Sequence, residues 1–173
     1  IAEIAAVLGL GEAISELHTG ESVLLDGFCT EVPAGVRAAR AHGRERTSDI
    51  SFAVVRELFG ALAGAGPVDP ALLEGGARWS APALDEATGG AGPDNLYPVL
   101  HGLYWLTVNH TARGPLVLVV DDLQWCDDAS LAFLGFLLRR SEGLPLGVVL
   151  ASRTDGAGAL PDRLAEIRRS IER

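Results

Sequence analysis

A chain of 173 residues, 48% hydrophobic, is long enough to bury a core of its own and too apolar to be a disordered tail. Its formal charge of −9 excludes a surface that grips nucleic acid non-specifically, because such binding needs clustered positive charge to displace counterions from phosphates. All 14 of its Lys and Arg residues are arginine, so the lysine of a G-x-x-x-x-G-K-[S/T] phosphate loop is absent from the chain.

In chain order, residues 5–14 read either as a short strand broken by glycine or as a helix. Residues 22–32 place Val23, Leu24, Leu25, Phe28 and Val32 at helical spacing, which Pro33 and Gly35 end. Residues 36–41 form a short candidate strand. Residues 51–59 read as an amphipathic helix with Ser51 as N-cap and Phe52, Val55 and Phe59 on one face. Residues 64–94 are rich in Gly, Pro and Ala and predict an excursion from the core, with one helical turn at 70–73. A helix follows over 95–111, with Pro98 tolerated in its first turn and Arg113-Gly114-Pro115 closing it.

Leu116 to Val120 is a continuous apolar run, the pattern of a strand buried on both faces, and it ends in Asp121 and Asp122. Asp127 or Asp128 then caps a helix carrying Leu131, Leu134, Leu137 and Leu138, with Arg139 and Arg140 in its last turn and Gly143 beyond it. A second apolar run over 146–151 makes a strand, helix, strand unit, whose crossover makes the two strands parallel. The fold class expected is α/β, a parallel sheet flanked by helices. In such sheets ligands gather at the carboxyl ends of strands. Two carboxylates there suit a magnesium-bound nucleotide, one holding the metal and the other orienting the attacking water. The plainer reading of the same residues is a strand followed by a polar turn.

Other features weigh less. Gly9-Leu10-Gly11 lacks the rest of a dinucleotide loop. Arg37, Arg40, Arg44 and Arg46 with His42 have no interleaved aromatic, so they read as a solvated strand edge. Cys29 and Cys126 stand in unrelated contexts, which predicts reduced thiols in a cytosolic protein, with Cys126 as a packing residue. His101 and His110 read as helix-surface or satisfied core histidines, and Trp125 as a packing residue at the sheet edge. No apolar run approaches the roughly 20 residues that span a bilayer, and no signal peptide opens the chain, so the cytoplasm is expected and a membrane is not. The start at Ile1 and the charged stretch at the other end predict a segment of something longer.

The segment Val119-Val-Asp-Asp-Leu-Gln-Trp-Cys-Asp-Asp-Ala-Ser-Leu131 resembles the Walker B region of the large LuxR-type transcriptional regulators, whose AAA-like P-loop ATPase module belongs to the STAND class. The likeness covers about residues 22–155, taking in 35–43, 50–59, 103–106 and 144–153 in the same order. It implies ATP and Mg²⁺ as cofactors, with Asp121 as the magnesium carboxylate, Asp122 as the catalytic acidic residue that polarises the attacking water, and Arg153 as a sensor of the γ-phosphate. It places residues 15–22 at the phosphate loop, where Gly20 and Ser22 survive for nucleotide and metal, Ser15 replaces the first glycine, and Glu21 replaces the lysine. The module would be a single partial domain over 1–173, truncated, with a degraded first strand and loop. Its partners would be the nucleotide and downstream domains of the same polypeptide, with no direct nucleic-acid contact by this segment. The alternative is a pseudo-NTPase interaction domain that keeps the fold without hydrolysis.

The Glu21 exchange has a sign. About 4 Å from a phosphate, at an effective dielectric near 20, unlike charges gain about 4 kcal/mol and like charges lose a similar amount. Glu21→Lys should therefore raise affinity for MgATP in a calorimetric titration; no gain would mean that loop geometry as well as charge is lost.

Overall fold

A strand buried on both faces needs backbone partners along both edges, because N–H and C=O groups hidden from water are costly to leave unpaired. In the computed structural model of this chain, which describes residues 2–8, 11–17, 32–64, 66–85 and 96–153, the apolar run forms β4 (Leu116–Asp121), all of it buried. It lies parallel to β3 (Arg37–His42) on one side and to β5 (Leu146–Arg153) on the other. Alternate residues of β4 serve two cores. Leu116, Leu118 and Val120 meet the main cluster, while Val117 and Val119 pack with Ala38, Val149 and Ala151 on the opposite face. The helices put Phe52, Leu58, Phe59, Leu103, Phe133 and Leu134 into the main cluster, fully buried; each contributes about 2–3 kcal/mol. A parallel sheet flanked by helices is the α/β, P-loop NTPase-like architecture expected.

Beyond β5 the sheet continues into an antiparallel hairpin of β1 (Ala2–Leu8) and β2 (Gly11–Leu17), giving the order β2-β1-β5-β4-β3. The hairpin corrects the single element expected over 5–14, which is divided between two strands. It also moves Ser15 out of the phosphate loop and into β2, opposite Ile4. Gly11 opens a strand of a hairpin and no dinucleotide-binding turn. Two reversals leave β2 running in the direction of β3, β4 and β5. Leu17, in register with Ala2 and through it with Arg153, therefore reaches the edge of the sheet at which the parallel strands end. The helix expected over 22–32 and the residues Gly20, Glu21 and Ser22 lie outside the described residues.

Helix α1 (Ala53–Ala63) forms where its apolar spacing predicts, but Ser51 does not cap it. The N-cap position is Phe52, held at φ 62°, a left-handed conformation that a bulky residue adopts only when its surroundings impose it. Asp127 imposes it. Its Oδ1 accepts from the Phe52 amide at 2.7 Å and its Oδ2 from the Val54 amide at 3.3 Å, while Ser130 Oγ accepts from Val55 N at 3.2 Å. The same Asp127 Oδ1 accepts from Ser130 N at 2.9 Å and so caps α4 (Asp128–Leu138) as expected. Two helix N-termini converge on one buried carboxylate, whose negative charge suits both dipoles.

The excursion expected over 64–94 is corrected for its described part. Asp69 caps a turn at Pro70–Leu73, a second turn runs over Gly75–Ser80, and α2 (Ala81–Leu84) follows; Leu72, Ala77, Ser80 and Ala83 are buried. These turns lie against α3 (Leu96–Thr111). Gly102 allows that approach: a Cβ there would come within 2.4 Å of the Ser80 amide nitrogen. Composition hid this packing, since the buried residues are small and irregularly spaced.

His110, near the end of α3, is buried beside Phe59 and Arg37. Arg37 donates to its backbone oxygen and lies 3.3 Å from Nδ1, which as the acceptor keeps the ring neutral. Burial, then the nearby charges of Arg37 and Arg113, push its pKa down from 6.5 to about 4. In the unfolded chain the ring titrates near its ordinary value. The contribution of the neutral His110 ring to stability is therefore full above pH 6.5 and falls as pH drops towards 4, by up to about 3 kcal/mol. Urea unfolding across that range should show the loss, and His110→Gln should flatten it. Asp127→Ala should cost about 3 kcal/mol by orphaning buried amides of both helices, read as a lower urea midpoint at unchanged slope.

Candidate functional site

The carboxyl ends of β3, β4 and β5 meet where the chain leaves Asp121. This residue is the last of β4 and lies on the face of Val117 and Val119, the face that Arg40 shares one strand away, because both strands alternate in register. The Asp121 carboxylate is buried. Its Oδ1 accepts from the Asp122 amide at 2.8 Å, and its Oδ2 accepts from Arg40 Nη2 at 2.8 Å. The Asp121 backbone oxygen accepts from Gly43 N at 2.9 Å, which carries the β3–β4 pairing past His42.

Asp122 turns the chain sharply. It adopts φ 51°, ψ 46°, a left-handed conformation that Asp tolerates because its short side chain bonds locally. Gln124 Nε2 donates to Asp122 Oδ1 at 3.0 Å, and Ser152 Oγ donates to Gln124 Oε1 at 3.2 Å, tying the carboxylate to the end of β5. Leu123–Trp125 then forms a single turn, and Cys126 and Asp127 lead into α4. Gly43 lies directly beneath. A Cβ on it would stand 2.2 Å from the Asp122 oxygen and 2.9 Å from Cys126 N, so only glycine lets β3 end here. Trp125 is 40% exposed, more open than the packing reading supposed. Cys126 is buried, and burial, with Asp127 and Asp128 beside it, pushes its thiol far above the ordinary range, as suits a packing residue.

The two arginines of β3 are not a solvated edge, whereas Arg44 and Arg46 beyond it are exposed as expected. Arg37 serves His110, Arg40 serves Asp121, and Arg44 forms a two-pronged pair with Glu57 at 2.7 and 3.0 Å. Glu57 also lies 3.3 Å from His42 Nδ1. A cavity of about 380 Å³ opens beside this cluster, lined by Ile50, Ala53 and Arg56 as well as His42, Arg44 and Glu57. It stands at the same edge of the sheet but does not include Asp121.

Of the site residues expected from sequence, Asp121 and Asp122 come together. Arg153 ends β5 at the same edge, and its side chain lies outside the described residues, as Gly20 and Ser22 do entirely. Sequence reasoning missed Arg40, Gly43, Gln124 and Ser152. Their only signal is position: each lies within three residues of a strand end that the apolar runs already mark. Among the described residues no group of three or more His, Cys, Asp or Glu side chains gathers as a metal cage. A single buried carboxylate suits Mg²⁺ arriving with phosphates, since that ion keeps several waters and takes one or two carboxylates from protein. No helix among the described residues is long and apolar enough to cross a membrane.

Gly43→Ala should force the Asp122 turn aside and cost about 2 kcal/mol or more. A urea midpoint and an emission spectrum both equal to those of the unsubstituted chain would contradict the close approach.

A family model described as the AAA ATPase domain matches residues 19–150. The match takes in β3, β4 and their helices and leaves out the β1–β2 hairpin. No curated protein and no solved structure matches the chain.

Proposed function

Since this chain belongs to the AAA ATPase domain family, we propose that it is a nucleotide-responsive regulatory module of a LuxR-type transcriptional regulator of the STAND class, with an impaired phosphate loop. The observation that carries this reading is the buried Asp121 carboxylate at the end of a parallel strand, followed at once by Asp122 in a fixed left-handed turn. Asp121 is the magnesium carboxylate, with the Ser22 hydroxyl as its companion. Asp122 polarises the attacking water, and the Gln124–Ser152 chain holds its carboxylate in place. Gly20 and Ser22 approach the phosphates, and Arg153 senses the γ-phosphate from the end of β5. The direction of β2 supports this arrangement, because its last residue, Leu17, ends at the edge of the sheet where Asp121 lies. Electrostatic contacts of this kind dominate phosphoryl transfer, so each residue bears on turnover.

The nucleotide state would bias packing that is relayed to downstream domains of the same polypeptide, in the cytoplasm, with no direct nucleic-acid contact by this segment. The 1–173 segment is then one partial domain. Glu21 in the lysine position favours a second reading, a pseudo-NTPase interaction domain that keeps the fold and binds no nucleotide. Calorimetric titration with ATP in excess Mg²⁺ separates the two. Micromolar binding that Asp121→Ala abolishes is the expected outcome for the switch; a folded chain that gives no heat is a pseudo-NTPase.

A further inference from the structure

The β3 strand supplies a feature to which the sequence reading gave no role in the site. Arg40 is the one arginine of that strand whose guanidinium meets Asp121, at 2.8 Å, and both side chains are largely shielded, 12% and 7% exposed. The contact is on Oδ2, while Oδ1 already accepts from the Asp122 amide. A magnesium ion coordinated by this carboxylate would therefore compete with the guanidinium for Oδ2. A dication and a guanidinium cannot share one oxygen at such range without strong repulsion in a site shielded from solvent.

We propose that Arg40 is a positioning residue that acts as an internal counter-ion on Asp121: it occupies the metal-binding oxygen in the nucleotide-free chain, and magnesium enters only by displacing it. The inference rests on the reading of Asp121 as the metal carboxylate. Three features of the chain support it. The pair forms between neighbouring strands whose register is set by main-chain hydrogen bonds, so the guanidinium is aimed at Asp121 by the fold itself. Arginine suits this place better than lysine would, because its planar fork matches a carboxylate and its charge persists when shielded. The chain is also without lysine, so no ammonium of its own is at hand to draw phosphates to this edge and help expel the guanidinium. Displacement then falls to the incoming metal and nucleotide, with Arg153 as the cation that the proposed function sets on the γ-phosphate. Arg40 thereby sets the threshold at which the edge responds to its ligand.

The test is a calorimetric titration of the full chain with Mg²⁺, Mn²⁺ and MgADP, comparing the unsubstituted protein with Arg40→Gln and Arg40→Lys, each shown to be folded by circular dichroism. Arg40→Gln should bind the divalent ion at least about tenfold more tightly, and adding Asp121→Asn to it should abolish the gain. Arg40→Lys, which keeps the charge and the fold but contacts the carboxylate at a single point, should fall between. A purely structural role would weaken binding or leave it alone. Divalent affinity in Arg40→Gln or Arg40→Lys that is no higher than in the unsubstituted chain overturns the proposal, including the case in which none of the three binds. Tight binding by Arg40→Gln with none by the unsubstituted chain upholds the counter-ion and removes the nucleotide switch. Binding by the unsubstituted chain with no gain in Arg40→Gln does the reverse.

Discussion

Asp127 is the constraint on which the rest of the molecule hangs. Its carboxylate, 1% exposed, accepts from amides at the N-termini of both α1 and α4. A buried anion is tolerable only when such donors surround it, and here the donors are orphan helix amides that would otherwise need water. One residue thus meets its own desolvation cost and the capping needs of two helices. Because Asp127 ends the segment that leaves β4, it also fixes where that segment can go.

The five residues between Asp121 and Asp127 are consequently pinned at both ends. At the strand end, Arg40 and the Gly43 amide hold Asp121; at the helix end, α1 holds Asp127. Between them the chain turns through a left-handed Asp122 and passes over Gly43 with no room for a Cβ. Rigid support of this kind preorganises charged groups, which costs stability in strain and desolvation and is repaid where charge must be met at a fixed place. Anionic groups dominate the sequence around the expected phosphate loop, and the cation that meets the Asp121 carboxylate, Arg40, belongs to the neighbouring strand.

Much of this was legible in the residues. The continuous run over 116–120 marked a doubly buried strand, the Asp-Asp after it marked the edge, and the spacing of Leu131, Leu134, Leu137 and Leu138 marked a helix. Cap chemistry at Asp127 was visible too, because Asp before an apolar helical pattern is a local signal. What was misread has one cause. Ser51 was taken as the cap of α1 because local capping is the common case, and the actual acceptor lies 75 positions along the chain. Residues 66–85 were taken as an excursion because Gly, Pro and Ala carry little pattern, although Gly102 on α3 receives them closely. Arg37 and Arg40 were taken as part of a solvated edge because their partners, His110 and Asp121, come from other elements.

The sequence by itself determined β3, β4 and β5, the helices α1, α3 and α4, the order of those elements, the AAA ATPase family and the place of the two carboxylates, since all of these rest on local periodicity and on residues adjacent in the chain. Tertiary structure alone decided that β1 and β2 form a hairpin with β2 reversed into the direction of the parallel strands, that Gly43 must lack a side chain, and that Arg40 faces Asp121. Each of these depends on strand register, which joins residues as far apart as 40 and 121 through main-chain hydrogen bonds. Spacing along a chain carries no record of such pairings, and the electrostatics of the site are set by them.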